Sequence, residues 1–128
     1  VKGDSIYHAP QYEGDASDLE RRLKAGEFVI TAEVQPPQTA STNKLKQNIE
    51  LVSKYVAAAN FTDGASATPR MSSWACSAIA VQMGVEAVLQ IAARDITRVS
   101  LQGEALGAAA LGIRNILCVT GDSNRLAP

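Results

Sequence analysis

The chain has too few cysteines to be stapled by disulfides or knit together by zinc. Cys76 and Cys118 are its only two, far apart and each set inside an apolar segment. A disulfide framework or a zinc site needs more ligands at closer spacing. We therefore expect two buried, reduced thiols, no metal and a cytoplasmic setting. Charge of one sign is lacking as well: 12 basic residues face 13 acidic ones, for a net charge of -1. That balance gives no basic face for nucleic acid and no polybasic patch for a membrane. No apolar run approaches the roughly 20 residues of a membrane span, and no charged start followed by an apolar stretch reads as a signal peptide. The one histidine, His8, has no partner nearby in sequence and is expected at the surface. Aromatics are scarce, with a single Trp, three Tyr and two Phe.

What is plentiful is small and apolar, alanine above all. That composition suits helices packed closely on a buried parallel sheet, and 128 residues suffice for one ordinary domain with a real core. The chain opens on Val1 and not Met, so sequence upstream is expected. Residues 1–26 read as a leader and short helix. Gly3, Pro10 and Gly14 punctuate the leader; Ser17 and Asp18 cap a helix through Lys24, with Leu19 and Leu23 on one face and Gly26 as its stop.

Residues 27–128 repeat one pattern. Phe28–Val34 is a β-branched run of strand length, ended by Pro36 and Pro37. Leu45, Ile49, Val52 and Val56 then recur at helical spacing. A second strand is expected at Ala59–Thr62, a helix at about Ser72–Met83, a third strand at Ala87–Ala92, a helix at about Thr97–Leu111 and a fourth strand at Asn115–Thr120. Strand starts recur at about 30 residues, the length of one unit of a (βα)8 barrel. Right-handed crossovers would make the strands parallel and buried on both faces. The rival with the same local order is a doubly wound sheet, whose dinucleotide-binding form needs a glycine-rich turn after its first strand. Here that turn is Gln35-Pro36-Pro37-Gln38, without a glycine, and Gly103 and Gly107 fall inside a helix, where close contact with the sheet would explain them. The expected fold is α/β, a TIM barrel of which this chain covers about the first four units. Four strands cannot close eight, so a longer native protein is expected.

In such barrels chemistry gathers at the C-terminal ends of the strands. Those ends carry Glu33; Thr62 and Asp63; Gln90, Arg94 and Asp95; and Thr120 and Asp122. Glu33, flanked by Ala32 and Val34, is expected to be buried, which would favour a neutral carboxylic acid able to act as a general acid. A structural Glu paired with an arginine is the alternative. Gly121 would let backbone approach a ligand, and Asp122 could hydrogen-bond a heterocycle or simply close a turn. Arg94 and Asp95 read first as a salt bridge or helix cap, Trp74 as packing, and Met71 and Met83 as core or helix-end residues.

These segments resemble the methylenetetrahydrofolate reductase family over about residues 27–122. Ile30-Thr31-Ala32-Glu33-Val34-Gln35-Pro36-Pro37 is similar to its first-strand signature, Phe61-Thr62-Asp63-Gly64-Ala65 to its second strand end, and Leu111 through Gly121-Asp122 to its fourth strand. Arg94-Asp95 followed by Leu101-Gln102 resembles the variant fused to homocysteine methyltransferase domains. The resemblance implies a cytoplasmic enzyme of one-carbon metabolism and methionine biosynthesis, a homo-oligomer or part of a larger chain. It would use FAD and NADH or NADPH to reduce 5,10-methylenetetrahydrofolate to 5-methyltetrahydrofolate. It implies Glu33 as the general acid, Asp122 near flavin and pterin, and Thr62, Gln90, Thr120 and Gly121 as flavin contacts. Gln90 stands where the family usually has a flavin-contacting His, and Thr120 where a basic residue commonly precedes Gly-Asp. The alternatives are a folate-binding methyl-transfer protein without redox chemistry and a non-catalytic barrel module.

Overall fold

A computed structural model describes residues 16–123; His8 and the leader expected before Ala16 lie outside the described residues. Helix α1 (Asp18–Lys24) precedes three strand–helix repeats and a fourth strand: β1 (Thr31–Val34), α2 (Asn43–Ser53), β2 (Ala58–Phe61), α3 (Ser73–Gln82), β3 (Ala87–Ala92), α4 (Arg98–Ala110) and β4 (Asn115–Val119). The strands form one sheet in the order β1-β2-β3-β4, every pair parallel. A doubly wound sheet reverses its strand order at a switch point, whereas a barrel adds each strand beside the last. The sequential order seen here is that of the first units of a TIM barrel.

Local chemistry accounts for the element ends. Ser72 and Thr97 cap α3 and α4, their hydroxyls accepting from the Ala75 and Ser100 amides at 3.2 Å. Strand β3 matches its predicted span, but β1 is shorter than the apolar run suggests. Pairing starts where the Ala57 amide donates to the Ile30 carbonyl at 2.8 Å, and Phe28, ahead of that rung, is exposed.

Side chains alternate across the sheet. Val34, Ala59, Phe61, Ala87, Leu89 and Ile91 face the helices, where Leu45 and Ile49 of α2, Cys76 and Ala80 of α3, and Ala108 of α4 complete two adjoining clusters. Alanines on both sides of this layer let backbones approach closely. Cys76 is fully buried, which pushes its thiol up to about 11. Cys118, expected to be buried too, is exposed: it lies on the last strand, where Ile116 and Leu117 are also open because no described element covers β4.

Helix α1 is fastened beneath the sheet. The Glu86 carboxylate accepts from the Asp18 and Leu19 amides at 2.8 and 2.9 Å and from Asn115 Nδ2 at 2.9 Å. Ser17 Oγ accepts from the Glu20 amide and donates to Asn115 Oδ1. The strand bottoms are thus tied off, and the opposite end is left for ligands.

The glycines inside α4 are not explained by sheet contact. A Cβ on Gly107 would reach the Trp74 ring at 3.6 Å, so that site is a helix–helix contact, while one on Gly103 would meet open space. Trp74 itself packs against the Leu89 cluster, as expected for a packing residue.

Candidate active site

The sheet face turned away from the helices carries Glu33, Asn60 and Gln90. At its C-terminal edge a cavity of about 370 Å³ is lined by Glu33, Thr62, Asp63, Ala65, Gln90, Val119, Thr120, Gly121 and Asp122. Every residue expected to act on the folate or touch the flavin reaches this one hollow, although they come from four strand ends. A larger cavity of about 660 Å³ lies by the β1–α2 loop and α3, lined by residues such as Gln38, Met71 and Ile79. It is lined by no carboxylate.

Glu33 departs from expectation. Strand alternation sends Val34 into the core but leaves Glu33 exposed on the open face. The apolar neighbours in sequence point elsewhere and cannot desolvate it. No group among the described residues hydrogen-bonds or ion-pairs with its carboxylate, so the arginine-paired structural role has no support there.

The other two carboxylates are engaged. Asp63 Oδ2 accepts from the Ala92 amide at 2.9 Å, fastening the end of β2 to the end of β3. Asp122 Oδ2 accepts from the Ser66 amide at 2.7 Å. Ser66 and Ala67 both have positive φ, 57° and 53°, a conformation that costs about 1–2 kcal/mol per L-residue. The Asp122 hydrogen bond offsets part of that cost.

Arg94 makes a contact that sequence reasoning did not foresee. Beyond the salt bridge or helix cap read for it in the sequence, it donates from Nη1 to the Asp122 carbonyl at 3.0 Å, while Thr97 caps α4. Two glycines make room for it. A Cβ on Gly64 would come within 3.1 Å of Nη2, and one on Gly121 within 3.1 Å of Ala92 Cβ and 3.2 Å of Arg94 Cβ. Packing against Arg94, together with φ of +85°, therefore accounts for Gly121. The available signal was two glycines, each following a strand, with an arginine after the strand between them.

Three polar atoms on or beside the open face are buried without a hydrogen-bond partner: Asn60 Oδ1, Thr62 Oγ1 and Gln90 Oε1. Such orphans are few in folded proteins and commonly mark a ligand or a missing partner. Thr62 is 5% exposed and lines the cavity.

A parallel sheet in sequential order, with acids and orphaned polar groups at its C-terminal edge, is that of the first units of an α/β barrel. The methylenetetrahydrofolate reductase family model matches residues 18–127, and the chain belongs to that family. Among curated proteins none gives a significant match. No described helix is long and apolar enough to cross a membrane. The family supports an oxidoreductase of folate one-carbon chemistry.

Proposed function

We propose that the protein of which this chain forms the first barrel units reduces 5,10-methylenetetrahydrofolate to 5-methyltetrahydrofolate, using FAD and NADH or NADPH. The observation that carries this reading is the common cavity, which unites an unengaged carboxylate, Glu33, with Asp122 and with the orphaned Thr62 and Gln90. The orphaned atoms fit a planar heterocycle: a hydroxyl and an amide at one rim can satisfy its hydrogen-bonding edge. Gln90 keeps that capacity where the family usually has His, and Arg94 brings a cation to the strand end where Thr120 lacks one.

When bound there, a flavin would carry hydride from the nicotinamide to the folate. The protein's own part is proton transfer and positioning. Glu33 would donate a proton to the ring nitrogen that leaves as the five-membered ring opens, exposing an electrophilic methylene carbon. Asp122, already oriented by Ser66, would hold the pterin edge. Thr62, Gln90, Thr120 and the Gly121 backbone would line the flavin side. The likeness of Arg94-Asp95 and Leu101-Gln102 to the methyltransferase-fused variant extends to this reading, as does a cytoplasmic, reducing setting for two cysteines outside any disulfide. The uncovered β4 supports further βα units or another chain beside it.

The test is anaerobic. Purified full-length protein should show a flavin spectrum, bleach with NADH or NADPH and recover colour with methylenetetrahydrofolate. A protein that binds folate but shows neither flavin nor nicotinamide oxidation would instead be a methyl-transfer protein, and one binding neither would be a non-catalytic module.

A further inference from the structure

We propose that Arg94 is the positioning residue for Asp122, holding from behind the turn that presents this carboxylate to the cavity. The value of that placement to catalysis rests on the reductase reading; the clasp itself does not. Asp122 needs such a hold. The β3–β4 ladder ends at Ala92 and Val119, so Asp122 lies beyond its last rung. The preceding Gly121, at φ +85°, is the residue type with the widest backbone freedom. Hydrogen bonds from two other strand ends replace the ladder. Arg94, in the turn after β3, donates from Nη1 to the Asp122 carbonyl at 3.0 Å. The Ser66 amide, in the loop after β2, donates to Asp122 Oδ2 at 2.7 Å. The first fixes the main chain, the second the side chain.

The same guanidinium also meets the loop after β2. A Cβ on Gly64 would come within 3.1 Å of Nη2, and one on Gly121 within 3.3 Å of Nη1, so one planar group lies against both glycine backbones. Both glycines have positive φ, +54° and +85°. Arg94 therefore bridges two turns that meet again through Asp122 and Ser66, and the contacts close a ring across the ends of β2, β3 and β4. A lysine would carry the charge but not the rigid fork that spans both turns.

Arg94 acts through Asp122 and not on a ligand. It does not line the cavity that Asp122 shares with Glu33; it lines a second hollow of about 360 Å³, with Ala92, Ile96, Ser100 and Glu104. Asp63 borders both hollows, and its Oδ2 accepts from the Ala92 amide at 2.9 Å. The reacting side thus receives a carboxylate whose restraints come from the far side of the turn.

The test is a double-mutant cycle on the full-length protein, read by affinity for 5-methyltetrahydrofolate and by amide exchange. Arg94→Met, which keeps a long side chain without donors, should weaken folate binding about tenfold, the scale of one charge-assisted hydrogen bond. In an Asp122→Ala background the same change should add nothing, because no carboxylate remains to be placed. Arg94→Lys, which keeps a cation and a donor, should recover part of the affinity. Exchange across residues 120–123 should quicken in Arg94→Met. Wild-type affinity in Arg94→Met, or an additive loss in the double variant, overturns the positioning role. Unchanged exchange across 120–123 overturns the clasp, even in a protein that reduces folate. Should Arg94→Met not fold, Arg94→Lys and Asp122→Ala complete the same cycle with a smaller first step. Quickened exchange in a protein that binds no folate leaves the clasp standing and sinks the reductase reading.

Discussion

The Asp122 carboxylate holds the Ser66 amide at 2.7 Å, so the turn after β4 and the left-handed loop after β2 form one hydrogen-bonded unit. A hydrogen bond to a charged group contributes about 1.5–3 kcal/mol. Asp122→Ala should therefore free Ser66 and Ala67 to leave their unfavourable conformation, raising amide exchange across residues 64–68 and weakening folate binding. Asp122→Asn separates two roles. It keeps an acceptor for Ser66 but removes the charge, so exchange should stay low while folate affinity and flavin potential change. If both variants leave affinity and potential untouched, Asp122 serves only the loop.

Glu33 allows a sharper division. As a proton donor to the folate it is needed in only one half of the cycle. Glu33→Gln should slow folate reduction by about 10²–10⁴, the range general acid catalysis supplies, and leave reduction of the flavin by NADH or NADPH nearly unchanged. Rapid mixing of each half-reaction separately reads this out. Equal slowing of both halves would make Glu33 a structural residue.

How far the sequence carried these conclusions depends on which contacts were local. The extent of β3 and the starts of α3 and α4 near Ser72 and Thr97 follow from neighbours in the chain, and were legible. So was the convergence of Glu33, Thr62, Gln90 and Asp122, because sequential parallel strands bring their C-terminal ends together. The environment of Glu33 was not, since Ala32 and Val34 turn to the opposite face and burial on its own face must come from other strands. The contact of Arg94 with the turn after β4 was missed for a similar reason. The carbonyl it donates to lies on the Gly121-Asp122 turn, a neighbour only once β4 pairs with β3. Cys118 was judged by its apolar neighbours, yet a last strand has fewer elements to cover it.

The glycines give a stability series. Gly103 lies mid-helix, where an added Cβ would meet open space, so Gly103→Ala should stabilise the protein by up to about 1 kcal/mol through helix propensity. Gly107→Ala should gain less, because its Cβ must lie against Trp74. Gly121→Ala should destabilise by about 1–3 kcal/mol, from positive φ and from overlap with Ala92 and Arg94. Denaturant midpoints of the three variants should rank in that order. A neutral Gly121→Ala would mean that the Arg94 clamp yields readily.

The cysteines make the last case, one of pH. Burial raises the Cys76 thiol to about 11 from an ordinary 9.0, so the folded state resists its ionisation while the unfolded state does not. Its contribution to stability is fully present below about pH 9 and is lost as pH climbs from there through about 11, amounting to about 3 kcal/mol across the window. At neutral pH Cys76 should escape alkylation in the native protein. Cys118, exposed on β4, should react wherever that strand is open to solvent. Mass-spectrometric mapping after a short pulse of iodoacetamide distinguishes the two. In the full-length protein, protection of Cys118 as well would show that further structure covers β4, whereas ready labelling of Cys76 would contradict the packing of α3 against β2 and β3. Cys76→Ser should flatten the alkaline loss of stability, since a hydroxyl does not titrate there, at the cost of burying a polar group beside Ile49 and Phe61.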